Sequence, residues 1–311
     1  MVIERIVKNE NENEEKAKLV VMIGLPGSGK STIAAKLEKE EGYLWLSSDN
    51  IREELYGNAA EQKDSTKVFN IMKNRAIAAL KNEENVVYDA TNLIAKRRKS
   101  LLKNDLRNIN CKKIAYIVLT DFKECRARNQ KRDRVVPDKI LEDMFKKIQF
   151  PWWGEGWDEI IIDKDDVEYD KTNLLYPLME MPHDNPHHKE TIGQHCFMVA
   201  KREELDNSFL KNTGLLHDIG KGFCKVYSDS KGNPTEEAHY YGHANVGAYI
   251  SFFIKGRISL ERKLQRAILI QWHMEHYFRD SKGMKKLEDE LGPTMWRMLD
   301  KLMKADKRSC N

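Results

Sequence analysis

The stretch that decides the fold is AKLVVMI over residues 17–23, running directly into GLPGSGKS from Gly24 to Ser31. A short apolar run of this length, ended by a glycine-rich turn, reads as a buried strand. The glycine loop fits the strand–GxxxxGK[ST]–helix pattern at every position, and a helix is expected from Lys30 to about Glu40. Glycines let successive backbone N–H groups turn inward around phosphate oxygens, and the following helix N-terminus adds its dipole. The loop therefore implies a site for ATP or another nucleoside triphosphate. Gly24, Gly27, Ser28, Gly29 and Thr32 would form the cradle. Lys30 would reach the β and γ phosphates, and the Ser31 hydroxyl would hold Mg²⁺.

Working outward, LWLSSDNIR predicts a second strand with Asp49 and Arg52 at its C-terminal edge, where open parallel sheets hold their ligands. A carboxylate there can take a proton from an attacking hydroxyl. The plainer reading of Asp49 is a helix N-cap for a segment starting at Asn50. A third strand, Val86–Asp89, leads into Thr91 and Asn92; Asp89 suits either Mg²⁺ support or a turn. Further strands are expected over 113–120 and in WDEIIIDK, near residue 165. Amphipathic helices are expected over 65–82 and 94–107. Strand and helix alternate, so the first domain is expected to be α/β, a parallel sheet covered by helices on both faces. PWWGEGWD over residues 151–158 reads as packing material for a core or a domain face.

The second half has a different texture. All nine histidines lie between His183 and His276, and helical periodicity runs over 190–206, 209–217, 243–255, 260–276 and 294–307. His195, His217, Asp218, His243, His273 and Asp306 fall on successive expected helices. Adjacent His217 and Asp218 would diverge by about 100° within a helix but can converge at its end. Imidazole with carboxylate suits one or two divalent transition ions (Mn, Ni, Zn, Fe or Co), and the plain alternative is a metal-free helical domain. The expected boundaries are a flexible N-terminus over 1–16, a P-loop domain over 17–165, a proline-rich linker over 166–182 and an all-α domain over 183–311.

Composition sets limits. The chain has 311 residues, 41% hydrophobic and 33% charged, with a net charge of +4. That charge is too small to establish a nucleic-acid partner. The runs KRRKSLLK (96–103) and RARNQKRDR (126–134) read plainly as solvated helix faces. No apolar run approaches the ~20 residues of a membrane span. The opening residues lack a secretory signal, so a cytoplasmic protein without membrane partners is expected. Five scattered cysteines fit reduced thiols.

In order and spacing, GLPGSGKST, SDNIR, YDATNLIAKRR and RARNQKRDRVVPDKILEDMFKKI make residues 17–165 closely resemble the kinase domain of phage-type polynucleotide 5′-kinases, within the P-loop kinases. The resemblance implies that Asp49 is the general base for a 5′-hydroxyl and that Arg52 engages the acceptor phosphate. It implies further that Arg128 and Arg132 form a lid over the ATP phosphates. Ser48 stands where the family can carry a basic residue, so the acceptor is less defined than the donor. Residues 183–311 resemble the HD phosphohydrolase superfamily through His195, the His217-Asp218 doublet with its IGK tail, His243, His273 and Asp306. That resemblance implies one metal on His195, His217, Asp218 and Asp306. It gives His243 and His273 to a second ion or to phosphate, places Lys221 facing the scissile phosphate, and adds His188 either as a substrate contact or as a residue supporting the ligands. Together the two resemblances imply a bifunctional enzyme that heals RNA or DNA ends ahead of a ligase. It would phosphorylate a 5′-OH and remove a 2′,3′-cyclic phosphate or 3′-phosphate. Bacterial enzymes pair the same activities in the opposite order. The alternatives are a small-molecule or nucleoside kinase joined to a nucleotide phosphohydrolase, and an ATP-gated switch.

Overall fold

The computed structural model describes residues 2–8, 16–61, 63–186 and 189–309. It divides into two compact units, Met1–Met144 with Pro151–Asp166, and Phe145–Phe150 with Val167–Asn311.

The first unit has an α/β fold built on a six-stranded, mostly parallel sheet with the glycine loop leading into its first helix. Its strands are β1 (Val2–Val7), β2 (Lys18–Ile23), β3 (Leu44–Ser47), β4 (Val86–Asp89), β5 (Lys112–Leu119) and β6 (Glu159–Lys164), in the order β1-β6-β5-β2-β4-β3. The four pairings among β2 to β6 are parallel. In β2, Leu19, Val21, Met22 and Ile23 are fully buried, as a strand with helices on both faces requires. Val20 and Met22 pack with Ala34 of the following helix, Val87 of β4 and Val118 of β5. The helix Lys30–Glu41 ends at Gly42, whose φ of 71° is the left-handed cap that glycine adopts without a Cβ penalty. The expected helix over 94–107 is shorter, Ala95–Ser100, and continues as a wider turn over Leu101–Asp105.

Two expectations change here. Residues 1–16 are not simply a flexible lead-in: β1 pairs antiparallel with β6 along its whole length, from Val2 opposite Lys164 to Val7 opposite Glu159. Its β-branched residues suit an edge strand, and the sheet is therefore mixed. The acidic stretch after it lies outside the described residues. Second, the unit boundary runs through the helix Asp138–Lys147. Phe145 and Phe150 are buried with the second unit, where Phe145 meets Tyr249 edge-on and Phe150 packs on Phe252. The Phe150 N–H donates to Gln271 Oε1 at 2.7 Å. Periodicity cannot show which unit an amphipathic face packs against.

The second unit is helical but not all-α. Its helices are Lys171–Met179, Ile192–Ala200, Ser208–Leu216, Lys221–Cys224, His243–Ser251, Leu260–Trp272, Glu275–Phe278 and Ser281–Lys307. A hairpin of β7 (Val226–Ser228) and β8 (Pro234–His239) interrupts them. Its turn is closed by Asp229, which accepts from the N–H groups of Lys231 and Asn233. The expected linker over 166–182 contains a helix with Leu175 and Leu178 buried, and Tyr169 bridges to Ile254. The last helix breaks at Gly292 (φ 77°) and resumes with Pro293, a residue suited to a first helical turn. Cys111, Cys125, Cys196 and Cys224 are free thiols, and Cys310 lies outside the described residues. Among the described residues no helix is long and apolar enough to cross a membrane.

Candidate active sites

In the first unit the phosphate loop is shaped by backbone crowding. A Cβ on Gly27 would lie 2.3 Å from the Cys125 carbonyl oxygen, and its φ of 80° is itself a glycine conformation. The Gly24 N–H donates to the Thr91 carbonyl at 3.2 Å, tying the loop to the exit of β4, and Thr120 Oγ1 donates to the Ser28 carbonyl at 2.9 Å. The Thr32 N–H closes the first helical turn on Gly29 O. Lys30 is buried and donates from Nζ to the Leu25 carbonyl at 2.7 Å. Burial pulls its ammonium down to about 8, opposed by the charge of Asp89. Asp89 is likewise buried. Desolvation raises its carboxyl above the usual range, against Lys30 and hydrogen bonds from Ser31 and Trp45. Ser31 and Asp89 thus share one hydrogen bond beside the loop. That is where a hydroxyl and a carboxylate would hold Mg²⁺.

Asp49 is not the cap of its helix. Ser47 caps it, with Oγ accepting from the N–H groups of Asp49 at 3.2 Å and Asn50 at 3.4 Å. The helix starts at Ser48, which puts Asp49 in the first turn with its carboxylate turned to other partners. Arg52 Nη1 donates to Asp49 Oδ1 at 3.1 Å, Arg134 Nη1 donates to the same oxygen, and Arg132 Nη2 lies 3.9 Å from Oδ2. Arg52 is buried, and desolvation lowers its guanidinium from the usual value against the pull of Asp49. Arg128 does not join this group. It is half-exposed and paired with Glu124 at 2.6 Å along its own helix.

The arginine that joins Arg132 is instead Arg134, which sequence reasoning passed over. So was Asn129, whose buried amide clasps Val136 from both sides, Nδ2 donating to its carbonyl at 2.8 Å and Oδ1 accepting its N–H at 3.1 Å. That clasp sets the curl of the loop carrying Arg132 and Arg134. An asparagine seven residues ahead of a valine-proline step offered no short signature. In KRRKSLLK, Arg98 is no surface charge: it is buried and bidentate on Glu155 at 2.7 and 2.8 Å, with Trp157 Nε1 donating to the same carboxylate.

In the second unit the ends of five helices converge. His195 comes from Ile192–Ala200, whose start is fixed by reciprocal bonds between Thr191 and Gln194. His217 and Asp218 lie in the turn just after Ser208–Leu216, so neither has to diverge along a helix face. His243 opens His243–Ser251, His273 follows Leu260–Trp272, and Asp306 ends Ser281–Lys307. A Cβ on Gly220 would lie 2.0 Å from the His243 carbonyl oxygen, so the glycine after the doublet lets these two segments touch.

The donors are close. His195 Nε2 lies 2.9 Å and His217 Nε2 3.5 Å from Asp306 Oδ1. Asp218 Oδ1 lies 3.3 Å from His243 Nε2 and 3.6 Å from His273 Nε2, and its Oδ2 lies 3.4 Å from His217 Nε2. His195, His217 and Asp306, and separately His217, Asp218 and His273, place their ligand atoms within 4.8 Å of one another. All six residues are buried. Nδ1 of His217, His243 and His273 lies 2.7, 2.8 and 2.6 Å from the carbonyls of Gly214, Tyr240 and Ile270. A carbonyl only accepts, so each Nδ1 carries a proton and each Nε2 points inward, the arrangement that orients metal-ligating imidazoles. Those three Nε2 atoms are buried without a hydrogen-bond partner, which is costly unless something else fills the centre.

The charges of the cluster lean on each other. Burial would lower His217, yet Asp218 and Asp306 hold it well above its usual range; burial would raise Asp218, yet Lys221 and His217 hold it well below. Burial would also raise Asp306, but the hydrogen bond from His195 and the neighbouring His217 imidazole keep it well below the carboxylate range. Burial lowers His273. Lys221 Nζ lies 2.7 Å from Asp218 Oδ2, which raises its ammonium against burial, and stands 5.4 Å from the Tyr240 ring centre. His183 is buried, its ring 5.7 Å from that of His195, while His187 and His188 lie outside the described residues.

Residues 19–151 match the sequence profile of the family described as "AAA domain". No curated protein matches the chain. Among solved structures, the chain is similar to a putative kinase from Chloroflexus aurantiacus (14% identity, TM-score 0.41), over 48% of this chain and 88% of that one. It is also similar to a chain of the Pnkp1/Rnl/Hen1 RNA repair complex (23%, TM-score 0.38), over 44% of this chain and 45% of that one. A gluconokinase from Sinorhizobium meliloti matches at 19% identity and TM-score 0.35, over 49% of this chain and 84% of that one.

Proposed function

We propose that the chain is a bifunctional end-healing enzyme: an ATP-dependent 5′-hydroxyl kinase of RNA or DNA joined to a metal-dependent phosphoesterase of the HD type. The observation that carries the reading is Asp49, a carboxylate held by Arg52, Arg132 and Arg134 and close enough to Lys30 to perturb its charge. Transfer to a hydroxyl needs this grouping. Asp49 takes the hydroxyl proton as the oxygen bonds to the γ phosphorus, the β–γ bridge bond breaks, and ADP leaves. Lys30 and the arginines oppose the charge carried by the phosphoryl oxygens, and guanidinium forks match those oxygens. Freed from Asp49, Arg52 would hold the phosphate next to the acceptor hydroxyl. Ser31 and Asp89 would hold Mg²⁺.

In the second unit, His195, His217, Asp218 and Asp306 would hold one ion, with His243 and His273 available to a second. A bound divalent ion would supply Lewis acidity to phosphate and water. Lys221, paired with Asp218, would donate to a phosphate oxygen once Asp218 is engaged elsewhere, and the carbonyls of Gly214, Tyr240 and Ile270 would keep the imidazoles oriented. Removal of a terminal phosphate or opening of a cyclic one would leave a 3′-hydroxyl suited to a ligase.

The test uses defined oligonucleotides. Wild type should transfer label from γ-labelled ATP to a 5′-OH strand in preference to mononucleosides. Without ATP it should convert a 2′,3′-cyclic or 3′-phosphate end across a panel of Mn, Ni, Co, Fe and Zn. Labelling of small hydroxyl compounds but of no oligonucleotide would overturn the kinase assignment. Failure on every phosphorylated end with every ion would overturn the second.

A further inference from the structure

The second unit contains a cavity of about 420 Å³ that none of the six histidine and aspartate donors lines. It lies between Lys171 at the start of its helix, one face of Ser208–Leu216 and the segment 254–258. Four cations line it, Lys171, Lys255, Arg257 and Arg266, against one carboxylate, Asp170. Asp170 is already used: it caps its helix, accepting from Thr172 N–H at 2.9 Å and Thr172 Oγ1 at 2.7 Å. Asp170 acts on Lys255 and Lys171 through charge, with no hydrogen bond to either, and among the described residues no carboxylate acts on Arg266, whose guanidinium is lowered by burial alone.

Arg266 is the decisive group. It is only 6% exposed, its Nη2 donates to the Ser251 carbonyl, and its Nε is buried without a partner. Burial alone pulls its guanidinium down to about 10, with no carboxylate offsetting the loss. A buried charge without a counter-ion is costly, and an anion in the cavity would remove that cost. Asn212 and Ser208 add an amide and a hydroxyl, while Leu216, Ile254 and Ile258 give an apolar wall. The segment carrying Lys255 and Arg257 is fixed from below, since Lys263 Nζ donates to the carbonyls of Phe252 and Ile254 at 3.0 and 3.1 Å.

We propose that this cavity binds an organic phosphate of nucleotide size, its phosphate among Arg266, Lys255 and Arg257 and its body against Leu216, Ile254 and Ile258. The volume lies within the usual range for small-ligand pockets, and arginine forks are the preferred partners of phosphate. Two sources share this chemistry, a free nucleotide and the end of a bound strand. The helix lining the cavity through Ser208, Asn212 and Leu216 delivers His217 to the histidine centre at its next residue, so an occupant would brace the element that carries it.

Equilibrium dialysis of the full chain against labelled AMP, inorganic phosphate and a short 3′-phosphorylated oligonucleotide tests the proposal. Lys30→Ala and His217→Ala backgrounds subtract the other two sites. Binding of AMP should persist in both backgrounds. It should weaken roughly tenfold or more in Lys255→Glu/Arg257→Glu, whose side chains are exposed, and in Arg266→Gln. Competition of AMP by inorganic phosphate would assign the site to free nucleotides; binding of the oligonucleotide alone, lost in the double variant, would assign it to strand ends. Absence of binding by both AMP and the oligonucleotide, its disappearance in either background, or an unchanged affinity in the double variant would overturn the proposal.

Discussion

The two candidate sites are assembled by opposite means. The first is written in the backbone: a contiguous loop whose glycines permit turns closed to any side chain, as the approach of Gly27 to the Cys125 carbonyl shows. Its charged groups are already satisfied without a ligand, Lys30 by the Leu25 carbonyl and Asp49 by arginines. The second is written in side chains drawn from five helix ends, and it leaves three imidazole nitrogens buried and unpartnered. A site that satisfies itself can fold empty and open for its ligand. A site of orphaned donors depends on being filled.

That contrast is broken most directly by removing metal. Dialysis against a strong chelator should abolish conversion of 3′-phosphorylated ends, while labelling of 5′-OH ends returns in full once Mg²⁺ alone is restored. It should also lower the unfolding free energy of the second unit by roughly 2–3 kcal/mol at saturating metal, the linkage expected for an ion about a hundredfold above its dissociation constant. Calorimetry reads this, and an unchanged unfolding profile with no metal by elemental analysis would show that the six donors form a purely structural cluster.

Next in size is Asp49. Asp49→Asn keeps the shape but removes the proton acceptor, so kcat for 5′-phosphorylation should fall by roughly 10²–10⁴-fold with little change in KM for ATP. An equal loss in KM would make the residue a binding anchor for its arginines instead. A smaller effect separates those arginines. Arg134→Ala should cost roughly tenfold or more in kcat/KM, the scale of one charge-assisted bond, whereas Arg128→Ala should change it by less than about threefold, as expected of an exposed pair within one helix. The reverse order would restore the lid read from the motif.

What the sequence disclosed follows the same division. The phosphate loop, Asp49 and the parallel strands were legible because each depends on neighbours a few residues away. The six donors of the second site were legible only as a pattern of residue types; their convergence required five helices to meet. Arg134 was hidden because a run of arginines gives no means of choosing which one the Asn129 clasp turns inward. The edge strand Val2–Val7 was hidden because its partner, β6, lies more than 150 residues away, and the unit boundary inside the helix Asp138–Lys147 because Phe145 and Phe150 declare their neighbours only in three dimensions.

The smallest expected effect sharpens the first half of the contrast. Lys30 titrates at about 8 in the folded chain against an ordinary 10.5, because burial disfavours its charge. Between those values the unfolded chain holds more protons than the folded one, so this group's contribution to stability rises with pH there. Below about pH 8 both states are charged, and the full cost of burying the ammonium is felt. A triphosphate reverses the balance by supplying the counter-charge that Asp89 supplies only in part. Binding near pH 9 should therefore draw in about one proton per nucleotide, and binding near pH 7 almost none. Titration calorimetry in buffers of different ionisation heat measures this uptake, and Lys30→Met should erase its pH dependence. Equal uptake at both pH values would mean that Lys30 is already charged in the empty loop, and that the first site is as dependent on its ligand as the second.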